Sequence, residues 1–157
     1  MSQFRLMHIV FAGLAFLTSF IVYLITVAPT VPFWDGGEFI ATSYILGIPH
    51  PPGSPLYILL GRLFSILPFG EVAWRGNMSS GLFSAFTVMM VYMIVVKAVS
   101  IWRNEPESLG EMLVVHCGAL TGSLMLAFSD TFWFNAVEAE VYALSMLIMS
   151  VCLVKRS

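Results

Sequence analysis

Residues 6–28 read LMHIVFAGLAFLTSFIVYLITVA and contain no Asp, Glu, Lys or Arg. A helix needs about 20 apolar residues to cross the hydrocarbon core of a bilayer, so this run is long enough to span it. The run is also longer than the apolar core of a signal peptide, and no small-residue cleavage site follows it. It therefore predicts a first transmembrane helix that the mature protein retains.

The composition of the whole chain points in the same direction. Of its 157 residues, 59% are hydrophobic and 10% are charged, whereas a typical soluble domain carries about 25% charged residues. This balance excludes a disordered chain and an ordinary soluble domain. The net charge of −2 excludes a basic nucleic-acid-binding domain, so no nucleic-acid partner is predicted. Cys117 and Cys152 lie in apolar runs without metal-type spacing and are expected to be buried thiols.

Further uncharged runs predict an all-α fold, a polytopic membrane bundle of about four helices. The predicted spans are residues 6–28, 78–101, 111–129 and 141–155. Two outward loops, residues 29–77 and 130–140, separate them. Four thin spans enclose little interior, so residues 1–157 are expected to be the N-terminal part of a larger membrane protein.

Residues 39–61 also lack charge, but they do not predict a fifth span. Four prolines at positions 49, 51, 52 and 55 cannot all lie in one continuous helix. The stretch instead predicts two short helices at the membrane interface, the second near residues 55–67, joined by a proline turn.

The basic residues predict the orientation of the bundle. Four spans place five cations on one side, namely Arg5, Lys97, Arg103, Lys155 and Arg156, and leave Arg62 and Arg75 on the other. Because cytoplasmic loops carry the excess of Lys and Arg, both termini are predicted to be cytoplasmic.

Two outward segments combine acidic and aromatic residues. Residues 32–39 (PFWDGGEF) contain Trp34, Asp35 and Glu38, and residues 129–140 end on Glu138 and Glu140. A carboxylate among aromatics at the edge of a bilayer has a raised proton affinity, which suits a general base. A competing interpretation is that Asp35 and Glu38 form a helix capping box, with Asp35 as the N-cap. The two interpretations are compatible.

Each remaining candidate has a structural and a functional interpretation. Trp34 fits an aromatic belt or a sugar-stacking surface, and His50 fits a rigid Pro-rich turn or a ligand for phosphate or metal. Arg62 and Arg75 fit contacts with lipid headgroups or neutralisation of a lipid-linked phosphate. Asn77 begins an Asn-Met-Ser glycosylation pattern, which is common by chance.

Three segments carry a resemblance to a known family. They are residues 28–39 (APTVPFWDGGEF), 47–57 (GIPHPPGSPLY) and 132–142 (FWFNAVEAEVY). An acidic pair in the first outward loop followed by a His-Pro-Pro turn resembles the GT-C class of membrane glycosyltransferases. More closely, these segments are similar to a bacterial family first described as a domain of unknown function, whose animal relative is a protein O-mannosyltransferase.

The resemblance implies a membrane glycosyltransferase of the bacterial inner membrane. Such an enzyme would transfer a sugar, by implication mannose, from a polyprenyl-phosphate carrier to a Ser or Thr hydroxyl of an acceptor protein on the outer face. Asp35 matches the catalytic acid of the first loop, and Glu38 takes the neighbouring acidic role. The residues expected to bind substrate are Trp34, His50, Arg62, Arg75, Glu138 and Glu140. The 157-residue chain alone is expected to be inactive.

No cofactor is required by these residues, although carboxylates and histidine would also suit a divalent cation such as Mg²⁺ or Mn²⁺. Two other functions remain open. A transporter fragment is disfavoured because no predicted span carries a carboxylate at its centre. A non-catalytic membrane subunit is favoured by the short length.

Overall fold

The computed structural model describes residues 3–103, 106 and 108–155, and this part of the chain is all-α, as predicted. Its seven helices are α1 (Gln3–Thr26), α2 (Gly36–Ile45), α3 (Pro55–Ser65), α4 (Val72–Arg103), α5 (Leu109–Ala127), α6 (Asp130–Val137) and α7 (Val141–Lys155). Arg156, counted above among the cytoplasmic cations, lies outside the described residues.

Three of these helices are long and apolar enough to cross a membrane. They are α1, α4 and α5, with 24, 32 and 19 residues. Helix α7 has 15 residues, fewer than a span requires, but α6 and α7 together form a fourth candidate that bends by 113° at the break between them. The described chain therefore has three to four candidate spans.

Helices α1, α4 and α5 begin before the predicted bounds, and α6 forms within a predicted loop. Helix α4 begins at Val72 rather than residue 78, because the side chains of Arg75 and Asn77 are buried and hydrogen-bonded to backbone carbonyl oxygens. Residues 130–137, predicted as part of an outward loop, form α6 with Asp130 in its first turn. An acidic side chain at that position is favoured by the helix dipole.

The two short helices predicted in the first loop are present. Helix α2 ends at Ile45, and its C-cap residue Leu46 has a left-handed backbone with φ 55° and ψ 40°. Helix α3 begins with Pro55, a residue suited to a first helical turn. Gly61 lets α3 approach α2 closely, because a Cβ at this position would overlap Ser43.

Helix α4 lies at the centre of the bundle and packs against α1, α5 and α7. The fully buried residues Ala15, Ala85, Val88 and Tyr92 form the middle of the apolar core. The expectation of buried thiols is wrong, because Cys117 and Cys152 are both exposed on the outer surfaces of α5 and α7.

The segment that follows α1 meets the last residue of α6 at one end of the bundle. The backbone N–H of Ala28 donates to the carbonyl oxygen of Val137 at 3.0 Å. At the other end of α4, Lys97 donates from its Nζ to the carbonyl oxygen of Val154 at 3.0 Å. The two predicted outward loops therefore share one end of the molecule, and we call it the loop end.

Candidate functional site

Three of the predicted site residues meet at the loop end. The carboxylate of Glu38 accepts two hydrogen bonds from His50, one from the backbone N–H at 2.8 Å and one from the ring Nδ1 at 2.6 Å. The other ring nitrogen, Nε2, lies 4.0 Å from Oδ2 of Asp35. We call Asp35, Glu38 and His50 the acid–histidine cluster.

The start of α2 places both carboxylates. Asp35 occupies the N-cap position, but its side chain makes no capping hydrogen bond. Glu38 is in the first turn and is engaged by His50. The predicted capping box is therefore not formed, because a turn 12 residues further along the chain takes both oxygens of Glu38.

The contact between Glu38 and His50 changes the proton affinity of both groups. The hydrogen bonds from His50 lower the pKa of Glu38. The hydrogen bond to Glu38 raises the pKa of His50, and the charges of Asp35 and Glu140 raise it further. The arrangement favours an imidazolium between two carboxylates.

The second loop contributes two acids with different surroundings. Burial raises the pKa of Glu138. Burial also raises the pKa of Glu140, with further increases from the charges of Asp35 and Glu138. Because Glu140 shares its electrostatic surroundings with both Asp35 and His50, it is the second-loop acid more closely linked to the cluster.

The remaining predicted site residues have other surroundings. Trp34 precedes Asp35, is 86% exposed and has a left-handed backbone with φ 63°. Arg62 donates from Nη1 to the carbonyl oxygen of Tyr44, and its guanidinium lies 5.6 Å from the centre of the Tyr44 ring.

Arg75 is held inside the protein rather than at the surface of the site. It is buried and donates from Nη1 to the carbonyl oxygens of Leu67 and Phe69. The structure therefore brings Asp35, Glu38 and His50 together beside Glu140, and it gives both arginines backbone partners.

Sequence reasoning missed two buried residues beneath the cluster. Tyr57 is 4% exposed and packs edge-on against Phe39. Asn77 is fully buried in α4, so its glycosylation pattern is inaccessible. The available signal was a group of polar residues near the start of an otherwise apolar helix.

The acid–histidine cluster has the donor groups of a cation site. One ligand atom from each residue lies within 4.8 Å of the others, and carboxylate oxygen and imidazole nitrogen both bind divalent metals. A bound cation would be held by these three residues, and it would polarise an oxygen placed against it.

Comparison with known proteins identifies the family. The model for the N-terminal domain of the protein O-mannosyl-transferase TMEM260 matches residues 35–155. The chain belongs to this family. The match begins at Asp35 and includes the whole acid–histidine cluster, so the resemblance inferred from the sequence is confirmed.

Two individual relatives have the same protein name as the matching family. The chain is 31% identical over 129 residues to the protein O-mannosyl-transferase TMEM260 of Mus musculus. It is 29% identical over 140 residues to the corresponding protein of Dictyostelium discoideum. These alignments cover 82% and 87% of this chain but only 16% and 15% of the relatives, so the chain spans about a sixth of their length. No solved structure gives a significant match.

Proposed function

We propose that the full-length protein transfers a sugar from a polyprenyl-phosphate carrier to a Ser or Thr hydroxyl of an acceptor protein. The names of the relatives point to mannose as the sugar. The single observation that carries the proposal is the meeting of Asp35, Glu38 and His50 at the end of the bundle where both acid-bearing loops lie. The His50 ring is 2.6 Å from Glu38 and 4.0 Å from Asp35.

Asp35 is the proposed general base. Its carboxylate belongs to the cluster but makes no capping hydrogen bond, and its side chain is 61% exposed. It would accept the proton of the acceptor hydroxyl while the hydroxyl oxygen forms a bond to the anomeric carbon. The bond from that carbon to the phosphate oxygen breaks, and the lipid phosphate leaves with the electron pair. Direct displacement of this kind inverts the anomeric centre.

The leaving phosphate needs a positive partner. His50 is a suitable candidate, because Glu38 favours its protonated form and its Nε2 faces Asp35. Arg62 and Arg75 are weaker candidates for this role than the sequence indicated, since each guanidinium donates to a backbone carbonyl. Electrostatic stabilisation of such a leaving group is a large contribution to catalysis.

The loop end is proposed to face outward, away from the cytoplasm. The described cations Lys97, Arg103 and Lys155 lie towards the other end of α4 and α7, which the positive-inside rule places in the cytoplasm. The lipid carrier and the acceptor would then meet Asp35 at the outer surface of the membrane.

The test compares wild-type protein with Asp35→Asn in nanodiscs. The substrates are radiolabelled polyprenyl-phosphate mannose and a peptide containing Ser and Thr. We expect the variant to lose about 10²- to 10⁴-fold in transfer rate, the range typical of a lost general base. Asp130→Asn is the matched control, because Asp130 is an exposed acid at the start of α6.

Transfer by Asp35→Asn at the wild-type rate would refute Asp35 as the base. No transfer by the wild type with mannose or other polyprenyl-linked sugars would refute the proposed function itself. The same assay is run after chelation with EDTA and after addition of Mg²⁺ or Mn²⁺. We expect activity without added cation, because His50 lies beside Asp35 and its protonated form is favoured by Glu38.

A further inference from the structure

Asn77 is a fully buried amide in α4 whose hydrogen bonds all go to backbone atoms of other segments. Its Nδ2 donates to the carbonyl oxygens of Ala28 at 2.8 Å and Thr30 at 2.9 Å. Its Oδ1 accepts the backbone N–H of Ala139 at 3.0 Å. Both donor hydrogens and the acceptor oxygen of the amide are therefore used.

These partners belong to the two segments that carry the acids of the site. Thr30 lies five residues before Asp35, and Ala139 stands between Glu138 and Glu140. One side chain thus holds the backbone of the first loop and the backbone of the second loop on the same point of α4.

Neighbouring contacts strengthen this junction. The N–H of Glu140 donates to Oγ of Ser80 at 3.0 Å, one helical turn after Asn77. Gly36, next to Asp35, packs so closely that an added Cβ would overlap the ring of Pro32 and lie 3.4 Å from the carbonyl oxygen of Ala139. The start of α2 therefore rests directly on the second loop.

We propose that Asn77 is a positioning residue that sets the placement of Asp35 relative to Glu140. Its effect on sugar transfer rests on the proposed function, whereas its effect on the two loops does not. The side chain itself stays beneath the site, because its amide is fully buried and bound to backbone atoms.

The first test variant is Asn77→Asp, which keeps the size of the side chain. A carboxylate still accepts from Ala139, but an ionised carboxylate donates no hydrogen and a protonated one donates only one. The contacts to Ala28 and Thr30 therefore cannot both remain. Thr87→Val is the matched control, because Thr87 is buried in the same helix and donates to Phe83 within it.

Two readouts separate positioning from a purely structural role. Amide hydrogen exchange, measured by mass spectrometry for residues 28–35 and 136–141, reports how stably the two loops are held and needs no substrate. We expect exchange there to accelerate about tenfold or more in Asn77→Asp and to stay unchanged in Thr87→Val. For sugar transfer we expect kcat to fall about 10²-fold with little change in KM for the lipid donor, because displacing a reacting group by about 1 Å has an effect of this size.

A second variant, Gly36→Ala, displaces the first loop beside Asp35 while leaving Asn77 intact, because the added Cβ would overlap the ring of Pro32. It covers the case in which Asn77→Asp does not fold. We expect the same two changes from it. Unchanged exchange in the folded variants overturns the proposal, and so does accelerated exchange with a wild-type kcat. If the wild type transfers no sugar, the proposed function fails, and the exchange data alone decide whether Asn77 joins the loops.

Discussion

At the level of single residues, the contact between Glu38 and His50 holds the His50 ring in place beside Asp35. Both carboxylate oxygens of Glu38 bind one residue, so the position and the protonated state of the His50 ring are controlled together. The pair lies at the surface, with side chains 41% and 47% exposed. Its contribution is therefore to the geometry of the ring more than to global stability.

We expect Glu38→Gln to lower the pKa of His50 towards its ordinary value of 6.5, because the hydrogen bond to Glu38 is the main cause of its rise. In the wild type, the ion pair is complete between pH 4.5 and pH 6.5, the ordinary values of the two groups. The ion pair weakens when the pH falls through the lowered pKa of Glu38. It also weakens when the pH rises through the raised pKa of His50.

The measurement is an NMR titration of the His50 ring, assigned with His50→Gln. Glu71→Gln removes an exposed acid from the same loop and is expected to leave the titration unchanged. If the His50 ring in Glu38→Gln titrated with the same midpoint as in the wild type, the proposed effect of Glu38 on His50 would be contradicted.

At the scale of helices, Arg75 joins α4 to the end of α3. The chain turns from Ser65 to Val72 between these helices, and the carbonyl oxygens of Leu67 and Phe69 in this turn point at the guanidinium. A charged side chain near the start of an apolar helix is tolerated here because it supplies the hydrogen bonds that the turn lacks.

Arg75→Ala is expected to lower the free energy of unfolding by about 2 kcal/mol, because it removes charge-assisted hydrogen bonds from two carbonyls. Arg62→Ala is the matched comparison. It removes a single such bond from a less buried side chain, so we expect a loss below about 1 kcal/mol. Thermal unfolding in detergent measures both, and a larger loss in Arg62→Ala than in Arg75→Ala would refute this interpretation.

At the scale of the whole molecule, the bundle gathers its acids at one end. The long helices α1, α4 and α5 run in alternating directions along the bundle. The segments after α1 and after α5 therefore lie at the same end. The acid–histidine cluster there is open, with side chains 41–61% exposed. The matched region covers only 16% and 15% of the length of the family relatives.

The proposed orientation predicts opposite labelling of two exposed aromatic positions. Phe33 is 86% exposed at the loop end, and Trp102 is 82% exposed near the end of α4. With Cys117 and Cys152 replaced by Ser, Phe33→Cys should react with an impermeant maleimide in intact cells. Trp102→Cys should react only after the membrane is permeabilised. The reverse pattern would place the loop end in the cytoplasm.

The fold class, the family and the two short helices of the first loop could all be predicted from the sequence. Apolar run length and proline placement act locally along the chain, so they could be interpreted without coordinates. The segments around Asp35, His50 and Glu138 were enough to indicate the family, because similarity between short stretches of sequence can be recognised without a structure.

Which polar groups meet could not be predicted from the sequence and depends on the packing of the helices. Glu38 turns to His50 rather than capping α2, because a distant turn offers two donors to its carboxylate. Arg75 lies in the junction between α3 and α4, because a carbonyl oxygen of the connecting turn accepts a hydrogen bond from its guanidinium. Asn77, which the sequence presented as a glycosylation pattern, joins two loops separated by more than 100 residues. Hydrogen bonds between segments remote in sequence depend on how the helices pack, and local patterns do not record that packing.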